Sequence, residues 1–235
     1  MVPGTFLAYN ISMDKMYIFL IVLGLVSISH FVFIVLKKEW LRRISKCFII
    51  PVLFAVYIAG AENPHFLIIA ALILGWIGDV LLINIQKKIF LILGLTSFLL
   101  GHICYITAFI KVLGFFGFDG AFGKINLPAI IIFTPPAIVL AMVVFRLIKP
   151  TKELYLPVIL YMAVLEALTL FGFQVFIFNP GVAGLLLLSG CICFMVSDTI
   201  LAYYTFRKLK ILGAVLIMAY YILAQTEIVM GMLLM

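Results

Sequence analysis

The stretch LILGWIGDVLLIN, Leu72 to Asn84, decides how this chain folds. It is apolar enough to lie inside a membrane helix, yet it carries an ionisable carboxylate, Asp79. An unpaired charge at the bilayer centre costs at least ~2.5 kcal/mol on insertion scales, so an intramembrane acid is read first as a functional group. The structural reading stands beside it: a protonated Asp that only ties helices together. A second stretch, Leu188 to Ala202, repeats the feature with Asp198 after Ser197 and a basic loop beyond. Two acids in matching surroundings weigh toward function.

The rest of the composition agrees with a membrane interior. Of 235 residues, 67% are hydrophobic and 11% charged, with a mean hydropathy of +1.35, whereas soluble domains are about 45–50% apolar. A water-soluble globule is excluded, and a single transmembrane domain over 1–235 is expected. The net charge of +7 is not a nucleic-acid signal, because most Lys and Arg fall in short connections between apolar runs, as topology requires. The four cysteines (Cys47, Cys104, Cys191 and Cys193) lie in predicted helices, with Cys191 and Cys193 on different faces, which favours packing over a disulfide framework or zinc knuckle. The first apolar run lacks a basic flank and a small-residue cleavage site, and is read as a retained span.

Spans of about 20 apolar residues cross a hydrocarbon core. Eight are expected, near Met16 to Leu36, Cys47 to Gly60, Phe66 to Ile85, Ile89 to Leu113, Pro128 to Ile148, Leu154 to Phe178, Val182 to Phe206 and Ile211 to Leu234. The fold class is therefore all-α and polytopic. Thirteen Lys and Arg flank the connections after spans one, three, five and seven, against Lys15, Lys111 and Lys124 on the other side. That imbalance predicts both termini on the non-cytoplasmic face of a bacterial inner membrane or an endomembrane. The outer connection GFFGFDGAFG, Gly114 to Gly123, reads as an interfacial segment, either a lid or a loose connector.

Two parallel four-helix repeats, 1–124 and 125–235, are also expected. Aligning Asp79 with Asp198 aligns Gly94 with Gly213 without a gap, and KCFIIPVLF from Lys46 matches KELYLPVIL from Lys152. At ~1.5 Å rise per residue, Asp79 and Asp198 share a level about 12–13 Å from the basic face, while His102, Glu166 and Gln225 lie roughly 21–23 Å from it. Gly75, one turn before Asp79, leaves room for another helix, and Tyr105 follows His102 on the same face. Each has a bland alternative: a packed imidazole for His102, helix packing for one of Tyr220 and Tyr221, a solvated position for Glu227, an interfacial one for His30 and His65. The three His are too dispersed in depth for a catalytic zinc, and no metal or organic cofactor is expected.

The stretches GDVLL (Gly78 to Leu82), GLTSFLLGHICYI (Gly94 to Ile106), YMAVLEA (Tyr161 to Ala167), SDTILAYYTF (Ser197 to Phe206) and YYILAQ (Tyr220 to Gln225) together resemble the YhhN-like family of eight-helix membrane proteins, which includes the lysoplasmalogenases. The resemblance implies a hydrolase that cleaves the vinyl ether of a lysoplasmalogen to a fatty aldehyde and glycerophospho-ethanolamine or glycerophospho-choline. Asp79 and Asp198 fall on the family's two acidic positions and are the expected catalytic pair. Glu166 and Glu227 match nothing in that pattern, and their roles stay open.

The residues fit this chemistry on their own account. Vinyl ether hydrolysis protonates the β-carbon, forms an oxocarbenium ion and adds water, so it needs an acid and a base around a cationic transition state, as glycoside hydrolysis does. Two buried carboxylates can divide that work, although the sequence does not say which does what. A lysophospholipid would hold its phosphate near Lys46, Lys87, Lys152 or Arg207, its ether at the Asp level and its chain past His102 and Glu166, with Tyr105, Tyr221 and Gln225 supporting. Membrane lipids are the only other expected partners. Oligomeric state stays open. Two rival classes remain: a proton-coupled carrier of a lipid or small amphipath, which shows the same buried acids and repeats, and a lipid-binding scaffold without turnover.

Overall fold

The computed structural model describes residues 3–114, 125–207 and 211–235, with side chains from residue 14 onward except those of 206 and 207. Eight helices account for nearly all of it: α1 (Pro3–Val35), α2 (Glu39–Gly60), α3 (Phe66–Leu81), α4 (Lys88–Val112), α5 (Leu127–Ile148), α6 (Tyr155–Phe178), α7 (Val182–Arg207) and α8 (Ile211–Leu233). All eight are long and apolar enough to cross a membrane. Large apolar side chains such as Ile21, Leu25, Ile131 and Ile132 face outward, so the surface is built for lipid, and the chain is an integral, multi-pass membrane protein. Residues 115–124, most of the candidate lid, lie outside the described residues.

The helix count follows the hydropathy, but two boundaries move. α2 begins at Glu39 rather than Cys47. The chain reverses at Lys37, which takes a left-handed φ of 55°, and Glu39 then accepts a 2.6 Å hydrogen bond from Arg42 one turn on. Arg42, Arg43 and Lys46 thus ride on the helix instead of lying in a loop. α3 ends at Leu81 and passes into a 3-10 turn over Leu82–Asn84; a similar turn, Lys152–Leu154, leads into α6.

Helices α2, α3, α4, α6, α7 and α8 each pack on the next to close a ring, with α8 returning to α2. α1 lies outside, along α2 and α8, and α5 lies outside across α6 and α7. In the α3–α4 and α7–α8 hairpins small residues let the backbones approach closely. A Cβ at Gly101 would stand 3.3 Å from the Ala71 carbonyl oxygen, and one at Gly190 would stand 3.0 Å from that of Ala224. Each hairpin is also sewn by a serine: Ser97 donates to the Leu74 carbonyl at 2.6 Å, and Ser197 to that of Ile217 at 3.0 Å. Overpacking such a joint costs about 1–3 kcal/mol. Gly190→Ala is accordingly expected to lower the midpoint of thermal unfolding in detergent, whereas Gly24→Ala, where nothing approaches within 4 Å, leaves it in place.

The two helices outside the ring are held differently. α1 packs closely along α2, while α5 touches α6 and α7 only lightly and buries only Ala129, Val144 and Ile148. Two consecutive prolines, Pro135 and Pro136, sit inside α5, each without an amide hydrogen to give to the preceding turn. Its start is fastened: the Asn126 amide donates to Gln174 at 2.9 Å, and Gln174 donates back to the Asn126 carbonyl at 3.2 Å. The stand-off of α5 leaves a groove beside the ring.

Candidate functional site

The ring interior holds a band of polar side chains in an apolar wall. Asp79, 2% exposed, accepts on both oxygens: Lys46 Nζ is 3.1 Å from Oδ1, and the Tyr221 hydroxyl donates to Oδ2 at 2.7 Å. α2, α3 and α8 therefore meet at this carboxylate. One turn beyond Tyr221 on α8, Gln225 accepts a 2.6 Å hydrogen bond from the Tyr105 hydroxyl of α4. Gly75 is what admits α8 here, since a Cβ there would stand 3.1 Å from Gln225 Nε2 and 3.7 Å from the Tyr221 hydroxyl. The sequence places Lys46 at the membrane surface as a phosphate ligand; its side chain instead reaches inward and is 14% exposed.

Asp198 has a different setting. Its partner is a neutral phenol, Tyr161 of α6, which donates to Oδ2 at 2.5 Å. The carboxyl lines the groove under α5, between α4, α5, α6 and α7. Leu91, Leu95, Val144, Met162 and Met195 give it an apolar surface, and Glu166 is the other acid on its wall. Ala202 and Thr205, which follow Asp198 on its helix face, lie on the same wall.

An aromatic partition joins the two carboxylates. From Asp79 it runs through Tyr221 to Phe194 at 5.8 Å, from Phe194 to His102 at 4.9 Å, and from His102 to Tyr161 at 5.6 Å, all edge-to-face. Such contacts fix ring positions. His102 is buried, and neither ring nitrogen has a hydrogen-bond partner among the described residues.

Of the residues singled out from the sequence, Asp79, Lys46, Tyr221, Gln225 and Tyr105 form one connected cluster, Asp198 and Glu166 line the groove, and His102 sits between them. Lys152 is apart, exposed in the turn before α6. Tyr161 and Phe194 were not among the expected site residues; the only signal was that Tyr161 opens the YMAVLEA stretch. His30 is fully buried and faces Ser45 Oγ at 2.8 Å, so it joins α1 to α2 rather than facing the lipid interface. Glu227 is half-buried against Cys193. All four cysteines are unpaired, and no group of three metal-ligating side chains occurs among the described residues.

A family model described as the YhhN family matches residues 41–232. The chain belongs to the YhhN family. The matched range leaves out all of α1 and takes in α5 with nearly the whole of the closed ring, so it contains both clusters and the groove of this YhhN-family protein. No curated protein and no solved structure matches the chain.

Proposed function

We propose that this YhhN-family protein is a lysoplasmalogenase-type hydrolase that cleaves the vinyl ether of a single-chain ether lipid. The observation that carries the reading is the setting of Asp198: a carboxyl held by one phenol, at the end of an apolar groove that opens beside the loosely packed α5. A single alkenyl chain fits such a groove, and an apolar wall keeps bulk water from a reactive cation.

Two carboxylates in a low-dielectric site divide into one ionised and one protonated member. Lys46 makes Asp79 the ionised one. Asp198, with only a phenol beside it, holds the proton. With Oδ2 engaged by Tyr161, Oδ1 delivers that proton to the β-carbon of the vinyl ether, and the electron pair of the double bond forms the new C–H bond. The ether oxygen shares the positive charge left on the α-carbon. Water adds there and returns its proton to the Asp198 carboxylate, the acid-then-base exchange of a retaining glycosidase. The hemiacetal then releases the glycerol hydroxyl and a saturated aldehyde, so the net reaction consumes one water. Asp79 acts through the partition as a fixed negative charge and, with Lys46, holds Tyr221 in place.

Tyr161→Phe removes a hydrogen bond that strengthens as Asp198 gives up its proton and becomes charged, worth about 1.5–3 kcal/mol once charged, and is expected to reduce kcat by about 10- to 100-fold in the detergent-purified protein without changing its fold. The class of function is tested by aldehyde release from a lysoplasmalogen in detergent micelles, where no compartments exist. Release from the vinyl ether and none from its saturated analogue supports the hydrolase. A folded sample that releases nothing, yet moves protons with a lipid across vesicle membranes, is the carrier.

A further inference from the structure

At the basic end of the groove lies a second, more polar cavity, partly open to solvent. It is bounded by the turn after α3, the turn before α6 and the last described turn of α7. Its charged side chains are Lys88, Lys152 and Glu153; Tyr204 is its one aromatic among the described residues. Leu91 and Thr205 line both this vestibule and the groove that holds Asp198, so the two are continuous. Lys88 and Glu153 form an ion pair across it, both of them exposed.

We propose that this vestibule is the headgroup subsite for a single-chain phospholipid bearing a primary amine, the phosphate lying between Lys88 and Lys152 and the ammonium on Glu153. This rests on the hydrolase reading for the position of the ether, though not for the binding itself. Two cations and one anion around a polar space match a zwitterion of one phosphate and one amine. Lys88 and Glu153 neutralise each other across the vestibule, and such an exposed pair is weak enough to exchange partners. A carboxylate accepts hydrogen bonds from a primary ammonium, and a quaternary ammonium has none to give.

The spacing agrees. Thr205 at the vestibule and Asp198 in the groove are seven residues apart on α7, an axial distance of about 10 Å. Six single bonds and the double bond in zigzag, the path from phosphorus to the β-carbon of a 1-alkenyl glycerophospholipid, span about 9 Å at ~1.5 Å per bond. A phosphate in the vestibule therefore sets the double bond beside the Asp198 carboxyl, and the chain continues along the apolar wall.

The test is equilibrium binding of non-cleavable 1-alkyl ether lipids to the detergent-purified full chain, which needs no turnover. Wild type is expected to bind 1-alkyl-glycero-3-phosphoethanolamine about tenfold or more tighter than 1-alkyl-glycerol. The double variant Lys88→Gln/Lys152→Gln should erase that difference. Glu153→Gln should lower the affinity for the phosphoethanolamine lipid several-fold relative to that for 1-alkyl-glycerol-3-phosphate, which gains from a Lys88 freed of its ion-pair partner. All three side chains are exposed, so the variants keep the fold, and an unchanged melting temperature checks that. Equal binding of the phosphorylated and phosphate-free lipids by wild type, or a preference that survives loss of both lysines, overturns the subsite. Failure of the hydrolase reading looks different: the headgroup preference is present, but the vinyl ether analogue remains uncleaved.

Discussion

Replacing Asp198 by Asn is expected to lower aldehyde release from a lysoplasmalogen by about 10²–10⁴-fold, the usual contribution of a positioned general acid, with little change in unfolding temperature. The amide keeps the shape of the carboxyl and can still accept the Tyr161 hydroxyl through its carbonyl oxygen. It has no acidic proton to give to carbon. Because Asp198 borders the groove and has no cationic partner among the described residues, its neutralisation strands no charge. Loss of turnover in a protein that melts at the wild-type temperature therefore isolates the chemical role. Full activity in Asp198→Asn removes this carboxyl from the mechanism.

Asp79→Asn is expected to behave differently. On the sequence alone, an Asn at either acidic position looks neutral for the fold. The Lys46 contact at 3.1 Å changes that expectation, because an ammonium that is 14% exposed would lose its counter-ion. Removing one partner of a buried ion pair costs about 3–5 kcal/mol, a large part of the stability of a marginal protein. The single variant should therefore melt well below wild type. The double variant Lys46→Met/Asp79→Asn should regain most of that loss, since replacing both partners by uncharged groups removes the desolvation cost along with the attraction. Aldehyde release separates the two possible roles of the pair. If Asp79 also supplies negative charge to the transition state, the double variant is stable and slow; a stable double variant with wild-type turnover makes the pair purely structural.

The number and nature of the helices were legible because each span is a long apolar run bounded by turns or charges, a signal that packing does not alter. The two acids were legible for the converse reason, as charges inside such runs. The contrast between them was not. Lys46 and Lys152 align in sequence, yet Lys46 sits inside α2 and reaches Asp79, while Lys152 lies in the 3-10 turn before α6 begins at Tyr155. A local difference in where a helix starts, about three turns of it, gives one carboxyl a cation and leaves the other facing a groove. Tyr161 was hidden for a related reason: a tyrosine in an apolar helix has no signature that distinguishes a packed ring from a donor until the partner across the interface is known. The groove itself comes from the weak packing of α5, and the hydropathy of α5 does not set it apart from α1.

The central claim is that Asp198 delivers a proton to carbon in a vinyl ether, and hydrolysis in heavy water tests it most directly. The detergent-purified protein is incubated with lysoplasmalogen in D2O, the aldehyde is trapped as it forms, and its mass and label position are read. Protonation of the β-carbon predicts one deuterium on the carbon next to the aldehyde carbonyl in every product molecule, with the product absent in Asp198→Asn. An aldehyde without that deuterium, or one formed equally well by Asp198→Asn, contradicts the account.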